Sequence, residues 1–160
     1  RVVDDDGVAV RVVCGEFWGQ RGPVEGVAAD PRYLDVSVPP GSRKVLPVEP
    51  DRHAFAYVFE GSATFRDASE PFGVLTERAV GDDEILVRET TGNRSLVLFG
   101  RGDEVVVQAG EEGVRFLLVS GRPLEEPVAW HGPIVMNPRD ELKQAVRDLQ
   151  TGDFSQTAAP

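Results

Sequence analysis

Short stretches of alternating apolar and polar residues, each closed by a turn-forming residue, run through most of this 160-residue chain. Leu34, Val36 and Val38, for example, alternate with Tyr33 and more polar neighbours. A period of two places successive side chains on opposite faces of a strand. Many short strands punctuated by Gly, Pro, Asp and Asn indicate an all-β sandwich or barrel. The predicted strands cover 8–14, 33–38, 43–48, 54–59, 62–65, 84–88, 95–99, 104–108 and 114–119, with a hairpin or loop over 70–83.

The C-terminal part of the chain predicts a single α-helix over residues 137–152. Asn137 is a good N-cap, and Pro138 suits the first helical position. Gly152 suits the C-cap. One apolar stripe at helical spacing is formed by Leu142, Ala145, Val146 and Leu149. The chain is therefore expected to form one domain, with a barrel and connector over 1–136, the helix, and a tail over 153–160.

Composition favours a globular protein, with 41% hydrophobic and 28% charged residues. No apolar run approaches the ~20 residues that cross a membrane, and no signal peptide is visible, although the chain begins at Arg1 without a Met. The one cysteine, Cys14, is interpreted as an inert core thiol, and a cytoplasmic location is expected. The net charge of −10 repels nucleic-acid phosphates, so neither nucleic acid nor membrane is an expected partner.

A proline-stiffened connector, residues 120–137, lies between the last predicted strand and the helix. It holds three prolines and therefore cannot be regular structure throughout. It also carries Trp130 and His131, one of only two histidines. Large side chains on such a segment indicate that it docks against another surface.

The strand over 54–59 has two different faces. Ala54, Ala56 and Val58 are expected to point into the barrel, and Phe55, Tyr57 and Phe59 to point outward. The outward aromatic residues are expected to pack on a second layer or the C-terminal segment. The alternative is contact with another domain or subunit, because exposed aromatics form an adhesive patch.

The spacing of glycines resembles that of cupins, which are jelly-roll-like double-stranded β-helix barrels. With the closing glycine of the first cupin motif at Gly61, the opening glycine falls on Gly41. The three ligand positions then fall on Pro47, Glu49 and Ala54, and the second motif, counted from Gly102, places its ligand on Gly113. Metal sites need three or four converging imidazole, carboxylate or thiolate groups. Since only Glu49 offers one, neither a metal site nor catalytic residues are expected in this chain, and His53 and His131 are interpreted as structural.

Nearly the whole chain is similar to the C-terminal cupin domain of the pirin family. The resemblance is carried by six segments and is most specific in the closing run. These segments are Gly7–Glu16 with Pro23-Val24, Tyr33–Val36 with Pro40-Gly41, Ala54–Val58 with Gly61, Val97–Phe99 with Gly102-Asp103, Phe116–Gly121, and Pro123–Asn137.

The resemblance implies a protein of two cupin barrels, of which the N-terminal one binds iron through three histidines and a glutamate. Some pirins oxidise quercetin as 2,3-dioxygenases, and some act as redox-sensitive transcription cofactors. None of those metal ligands lies in this chain, so the cofactor is expected only in an N-terminal barrel. C-terminal elements of such proteins pack back on the first barrel. The candidate interdomain contacts here are Trp130, His131, Met136, Leu142 and Val146.

Three functions remain open from the sequence. The chain is expected to be a non-catalytic half that packs on an N-terminal cupin domain or a second subunit. Alternatively, it belongs to an iron-dependent quercetin 2,3-dioxygenase and shapes the entrance of its active site. A third interpretation is a module that presents its acidic clusters to a transcription or metabolic protein.

Overall fold

The computed structural model describes residues 1–66 and 90–154, and the backbone of 72–73. The chain divides into two compact units, Arg1–Pro123 and Leu124–Pro160. The first contains the strands β1 Val2–Val3, β2 Ala9–Cys14, β3 Glu16–Phe17, β4 Gln20–Arg21, β5 Arg32–Val38, β6 Arg43–Pro47, β7 His53–Arg66, β8 Phe72–Gly73, β9 Thr91–Gly92, β10 Ser95–Leu98 and β11 Glu104–Gly121. The second contains β12 Ala129–His131, β13 Ile134–Met136 and the helix α1 Arg139–Thr151.

Two long strands organise the first unit. β7 and β11 pair antiparallel along most of their length, in a sheet with the order β1-β2-β5-β11-β7-β10-β8. The C-terminal half of β11 also pairs with β5, whereas its N-terminal half pairs with β6. β11 therefore pairs with β5 in one part of the barrel and with β6 in another, as expected when the two sheets of a double-sheet barrel share their longest strands.

The sequence predicted β7 and β11 as two short strands each, and this was wrong. Gly61 and Gly113 were interpreted as turns, but each lies inside a long strand at an irregularity of the β7–β11 register. Both have a positive φ, +70° and +81°, which lets a strand bend without ending. The strand predicted over 84–88 and most of the segment 70–83 lie outside the described residues.

The core of the first unit is formed by the inward faces of the strands. Ala54, Ala56 and Val58 of β7 are buried, which confirms the predicted inward face of this strand. Phe116 of β11 is fully buried, and its ring packs edge-on against Phe65 with the centroids 5.3 Å apart. Burial of one such side chain contributes roughly 1.5–3 kcal/mol.

The second unit is a hairpin covered by the helix. β12 and β13 pair antiparallel within the connector, where no strand was predicted, and Gly132 takes a positive φ in the turn between them. The helix packs on both strands, and its buried residue is Ala145. The helix was predicted correctly, but its N-cap is Pro138 rather than Asn137. Gly152 ends it in the left-handed conformation, as predicted.

Candidate functional site

The predicted ligand positions are divided between one end of the β7–β11 strand pair and the bend in its middle, where Gly113 lies. Arg32, Ser120 and Ala54 lie side by side on β5, β11 and β7, on the face that points inward. Gly113 lies seven residues from Ser120 along β11, which corresponds to about 23 Å at ~3.3 Å per residue. It therefore does not converge with Pro47, Glu49 and Ala54.

Gly113 also has no room for a side chain. A Cβ atom there would lie 2.9 Å from the Val38 carbonyl oxygen, and one on Gly61 would lie 2.1 Å from the Gly113 carbonyl oxygen. Gly61 allows β7 to approach β11 closely, and Gly113 allows β11 to approach the end of β5, where both long strands bend. The position is therefore structural in this chain.

Glu49 lies in a cluster of ion pairs at the end of the strands where β5 begins. It binds the Arg32 guanidinium on one side, and its other oxygen lies 3.4 Å from Arg52 Nε. Arg32 also donates to the carbonyl of Pro47, 3.2 Å away, and lies over the Phe17 ring at 5.5 Å. The two-residue turn between β3 and β4 brings Phe17 to this position.

Arg52 extends the cluster to Asp30. One of its nitrogens lies 2.7 Å from the Asp30 carboxylate, and another donates to the Asp30 carbonyl. Hydrogen bonding and charge from Arg52 hold the pKa of Asp30 below its usual range. We call Asp30, Arg32, Glu49 and Arg52 the mouth cluster. Sequence reasoning missed its arginines, because nothing in the local pattern shows that residues so far apart in sequence meet.

The mouth cluster does not suit a metal ion. Its one carboxylate at a counted ligand position, Glu49, is already neutralised by two guanidinium groups, which repel a cation. Across residues 1–66 and 90–154, no group of three His, Cys, Asp or Glu side chains is placed to hold a metal. His53 is exposed at the start of β7, and His131 is exposed in the second unit. The metal-free assignment of this barrel stays a prediction.

Two clefts border the mouth cluster. One of about 320 Å³ is lined mainly by polar groups and includes Arg21, Asp30 and Arg52. The other, of about 490 Å³, includes Phe17, Trp18 and Pro47. Glu16, Arg32 and Glu49 line both. The volumes fall in the range of small-molecule sites. The charged side chains in the lining can form ion pairs with a ligand, and the rings of Phe17 and Trp18 form an aromatic wall.

The five predicted interdomain contacts do not form one surface within the second unit. Met136 lies opposite Ala129, on the hairpin face that contains the buried Ile134. Trp130 lies opposite Val135 on the other face, and these two side chains are 74% and 56% exposed. Leu142 and Val146 are half-buried on the helix, and His131 is exposed. Val135 was missed, although the alternation of the hairpin places it beside Trp130.

Comparison with solved structures defines the class of protein. The chain superposes on a quercetin 2,3-dioxygenase from Acinetobacter baumannii with a TM-score of 0.74 and 24% identity, over 96% of this chain and 46% of that one. This likeness shows the fold, an all-β cupin barrel with a C-terminal α-helix. In the described residues, no helix is long and apolar enough to span a membrane.

Sequence relatives narrow the class to a family. Residues 33–155 match the family model of the pirin C-terminal cupin domain. A pirin-like protein of Caulobacter vibrioides is 38% identical over 151 residues, covering 94% of this chain and 47% of that protein. A putative quercetin 2,3-dioxygenase of Pseudomonas aeruginosa is 36% identical, with 91% and 46% covered. The chain belongs to the pirin family, and it spans about half the length of the curated relatives it matches.

Proposed function

We propose that this chain is the non-catalytic half of a pirin-type protein, with a structural and interaction role. It completes the protein by packing on a second cupin barrel, which holds the iron. The observation that carries the proposal is the mouth cluster. In it, Arg32 and Arg52 form ion pairs with Glu49, the only carboxylate at the counted ligand positions. The length of the relatives, about twice that of this chain, supports the existence of a second barrel.

The exposed face of the C-terminal hairpin supports the interaction role. Trp130 and Val135 form an apolar pair that is mostly in contact with solvent. Large aromatic side chains are enriched at the centres of protein interfaces. This pair is the part of the second unit best suited to contact the missing barrel.

Metal analysis of the purified chain tests the proposal. We expect far less than one iron atom per chain after iron loading, and no turnover of quercetin. Stoichiometric iron that is lost on Glu49→Ala or His53→Ala would contradict the proposal. Quercetin turnover by the chain alone would contradict it equally.

A second candidate function is to shape the entrance of a dioxygenase active site. It is favoured by the relatives from P. aeruginosa and A. baumannii, whose names describe quercetin 2,3-dioxygenases. A chimera that joins this chain to the unmatched half of the P. aeruginosa protein tests it. If this chain shapes the entrance, Trp130→Ala changes KM for quercetin in the chimera, and an unchanged KM argues against the role.

A further inference from the structure

The cleft of about 490 Å³ beside the mouth cluster is walled on one side by a tight turn, and we call it the aromatic cleft. The pairing of Phe17 with Gln20 leaves Trp18 and Gly19 as the two central residues of the β3–β4 turn. Their φ angles are +46° and +71°. Turns with two positive φ angles usually have Asn, Asp or Gly at these positions. Trp18 is therefore held in a conformation that a bulky residue rarely adopts.

Contacts of its ring offset the backbone strain of Trp18. The Phe17 ring lies 4.9 Å away between centroids, and Lys44 Nζ lies 5.6 Å from the centre of the Trp18 ring. The Trp18 side chain is half-buried, so part of it stays open to the aromatic cleft. Strained backbone of this kind is concentrated at functional sites, including the segments that clamp ligands. The strained turn therefore marks the aromatic cleft as a candidate ligand site.

Apolar side chains form another part of the wall of the aromatic cleft. Pro47, Val48 and Pro50 line it together with Trp18. Because proline side chains have almost no rotamer freedom to lose, a ring or hydrocarbon chain packs against them at little entropic cost. The aromatic cleft therefore suits a ligand that has an apolar body.

The charged groups around the aromatic cleft carry an excess of negative charge. The mouth cluster holds two carboxylates and two guanidinium groups, and is neutral as a whole. Beside it, Glu16 and Glu25 share one cation, Arg21, at 3.5 and 3.6 Å. All three side chains are exposed, so these ion pairs are weak. Of the two carboxylates, Glu16 alone lines the aromatic cleft, and it is therefore available to bind an added cation.

The positive charge of Lys44, next to Trp18, does not reverse this balance. Its ammonium group forms ion pairs with two carboxylates, Asp4 and Asp6, so these three residues together carry one negative charge. The net charge of −10 on the whole chain adds a long-range attraction for cations. Aromatic rings attract cations as well, because the ring face is electron-rich. The charge and the wall of the aromatic cleft therefore favour the same class of ligand.

We propose that the aromatic cleft binds a small organic cation, a primary ammonium group on an aromatic body. The ammonium group pairs with Glu16, and the aromatic body packs against Trp18 and the neighbouring prolines. A ligand with a carboxylate in place of the ammonium group meets the excess negative charge and is disfavoured. The site belongs to this chain itself, so the proposal does not depend on which domain completes the protein.

Tryptophan fluorescence tests the proposal. The chain contains two tryptophans, so in the Trp130→Phe variant the indole emission comes from Trp18 alone. The probe is phenethylammonium, and three analogues each change one property of it. Phenethyl alcohol lacks the charge, phenylacetate reverses it, and butylammonium, which resembles a lysine side chain, lacks the ring. Each compound is titrated into the variant at pH 7.

We expect a saturable change of Trp18 emission with phenethylammonium, with a Kd in the millimolar range or lower for a ligand of about nine heavy atoms. Each analogue should bind at least about threefold more weakly. Equal binding of phenethyl alcohol would show that the charge is not recognised, and equal binding of butylammonium would show that the ring is not. Either result overturns the proposal, as does tighter binding of phenylacetate or a response to phenethylammonium that is still linear at roughly 20 mM.

A pair of matched variants places the cation in the aromatic cleft. Glu16→Gln, made in the Trp130→Phe background, should weaken binding of phenethylammonium about twofold to fivefold, the range of an exposed ion pair. Glu25→Gln is the control, because it removes the same charge and the other exposed partner of Arg21 but lies outside the aromatic cleft. It should weaken binding less than about 1.5-fold. Equal losses in the two variants would show that only the overall charge acts, and would overturn the proposal.

Discussion

At the scale of single residues, two glycines lie at close approaches between strands. Gly61 of β7 lies against the backbone of Gly113, and Gly113 of β11 lies against Val38 of β5, so a Cβ on either would collide with a carbonyl oxygen. Both also need a positive φ, which residues with a Cβ rarely adopt. Two independent constraints, space and conformation, therefore require glycine at this bend.

Gly61→Ala is expected to lower the free energy of unfolding by more than about 3 kcal/mol, or to prevent soluble expression. Gly41→Ala is the matched control, because Gly41 has a similar φ of +66° but nothing within 4 Å of its Cβ position. It should cost only the conformational strain, about 1 kcal/mol. Urea unfolding measures both variants, and equal losses would show that the close approach adds nothing.

The carboxyl group of Asp35, on β5, has a pKa that is lowered by its partner Arg115 on β11. Two hydrogen bonds from Arg115 lower its pKa below 3.8, and this effect exceeds the opposing effect of burial. A lowered pKa means that folding favours the ionised form. The pair therefore stabilises the fold fully above the unfolded pKa of about 4, and this contribution is lost as the pH falls through the lowered folded pKa.

Asp35→Asn is expected to destabilise the chain by about 1–2 kcal/mol at pH 7, the usual range for a hydrogen-bonded charge pair that is partly exposed. Between pH 5 and pH 2, the variant should lose less stability than the parent chain, because it has no carboxylate to protonate there. Asp5→Asn, at an exposed position, is the control. Urea unfolding across this pH range measures both, and parallel pH profiles for Asp35→Asn and the parent would contradict the assignment.

At the scale of elements, the mouth cluster ties the start of β5 to the loop that precedes β7. Glu49 is placed between Arg32 and Arg52, both of which are largely buried. Removing the carboxylate charge leaves Arg32 without the carboxylate that it binds and leaves Arg52 paired with Asp30 alone. The cost of such a change exceeds that of an exposed ion pair, because buried charges are poorly screened by water.

Glu49→Gln is expected to lower the free energy of unfolding by about 1–2 kcal/mol, a value reduced from that of a fully buried pair because Glu49 itself is partly exposed. Glu25→Gln removes an exposed partner of Arg21 and should cost less than about 0.5 kcal/mol. Chemical unfolding at pH 7 compares the two. Equal effects would show that the mouth cluster is no stronger than a surface pair.

The helix of the second unit is held by a narrow contact. Its buried residue is Ala145, against the hairpin strands. Ala145→Glu introduces a charge into this contact without lowering helix propensity much. We expect the helical signal at 222 nm to melt at a lower temperature. Gln144→Glu places the same residue at the adjacent exposed position; it loses only an exposed hydrogen bond to Asp148 and should lower the melting of this signal much less.

At the scale of the whole molecule, the sequence predicted the class of fold and the positions of the longer strands, those of four residues or more. Alternation in β5 and β7 identified the inner faces, because burial of one side imposes a period of two on any strand. The helix was predicted for a similar reason, since its stripe and its C-terminal Gly152 are local signals. The strand breaks at Gly61 and Gly113 were wrong, because a glycine inside a bent strand and a glycine in a turn look alike in sequence.

The residues of the candidate sites were harder to predict from the sequence than the fold was. Glu49 was recognised as a ligand position, but its arginine partners were not, since Arg32 and Arg52 reach it only through the pairing of β5, β11 and β7. The connector was expected to dock against another surface, which stays a prediction, and hairpin register divides its side chains between two faces. An outward aromatic face was predicted on β7 alone, and only strand register shows that apolar side chains of β5, β11 and β10 continue it.

What the sequence by itself determined is therefore local: periodicity, caps, composition, and the motif spacing by which the pirin family is recognised. Tertiary structure alone decided which distant residues meet, because strand register brings together side chains whose separation in sequence carries no pattern. It decided that Gly113 lies far from Glu49, that two arginines neutralise Glu49, and that apolar side chains of β5, β11, β7 and β10 share one outward face. Those three results connect this cupin domain to its proposed role as the non-catalytic half of a larger protein.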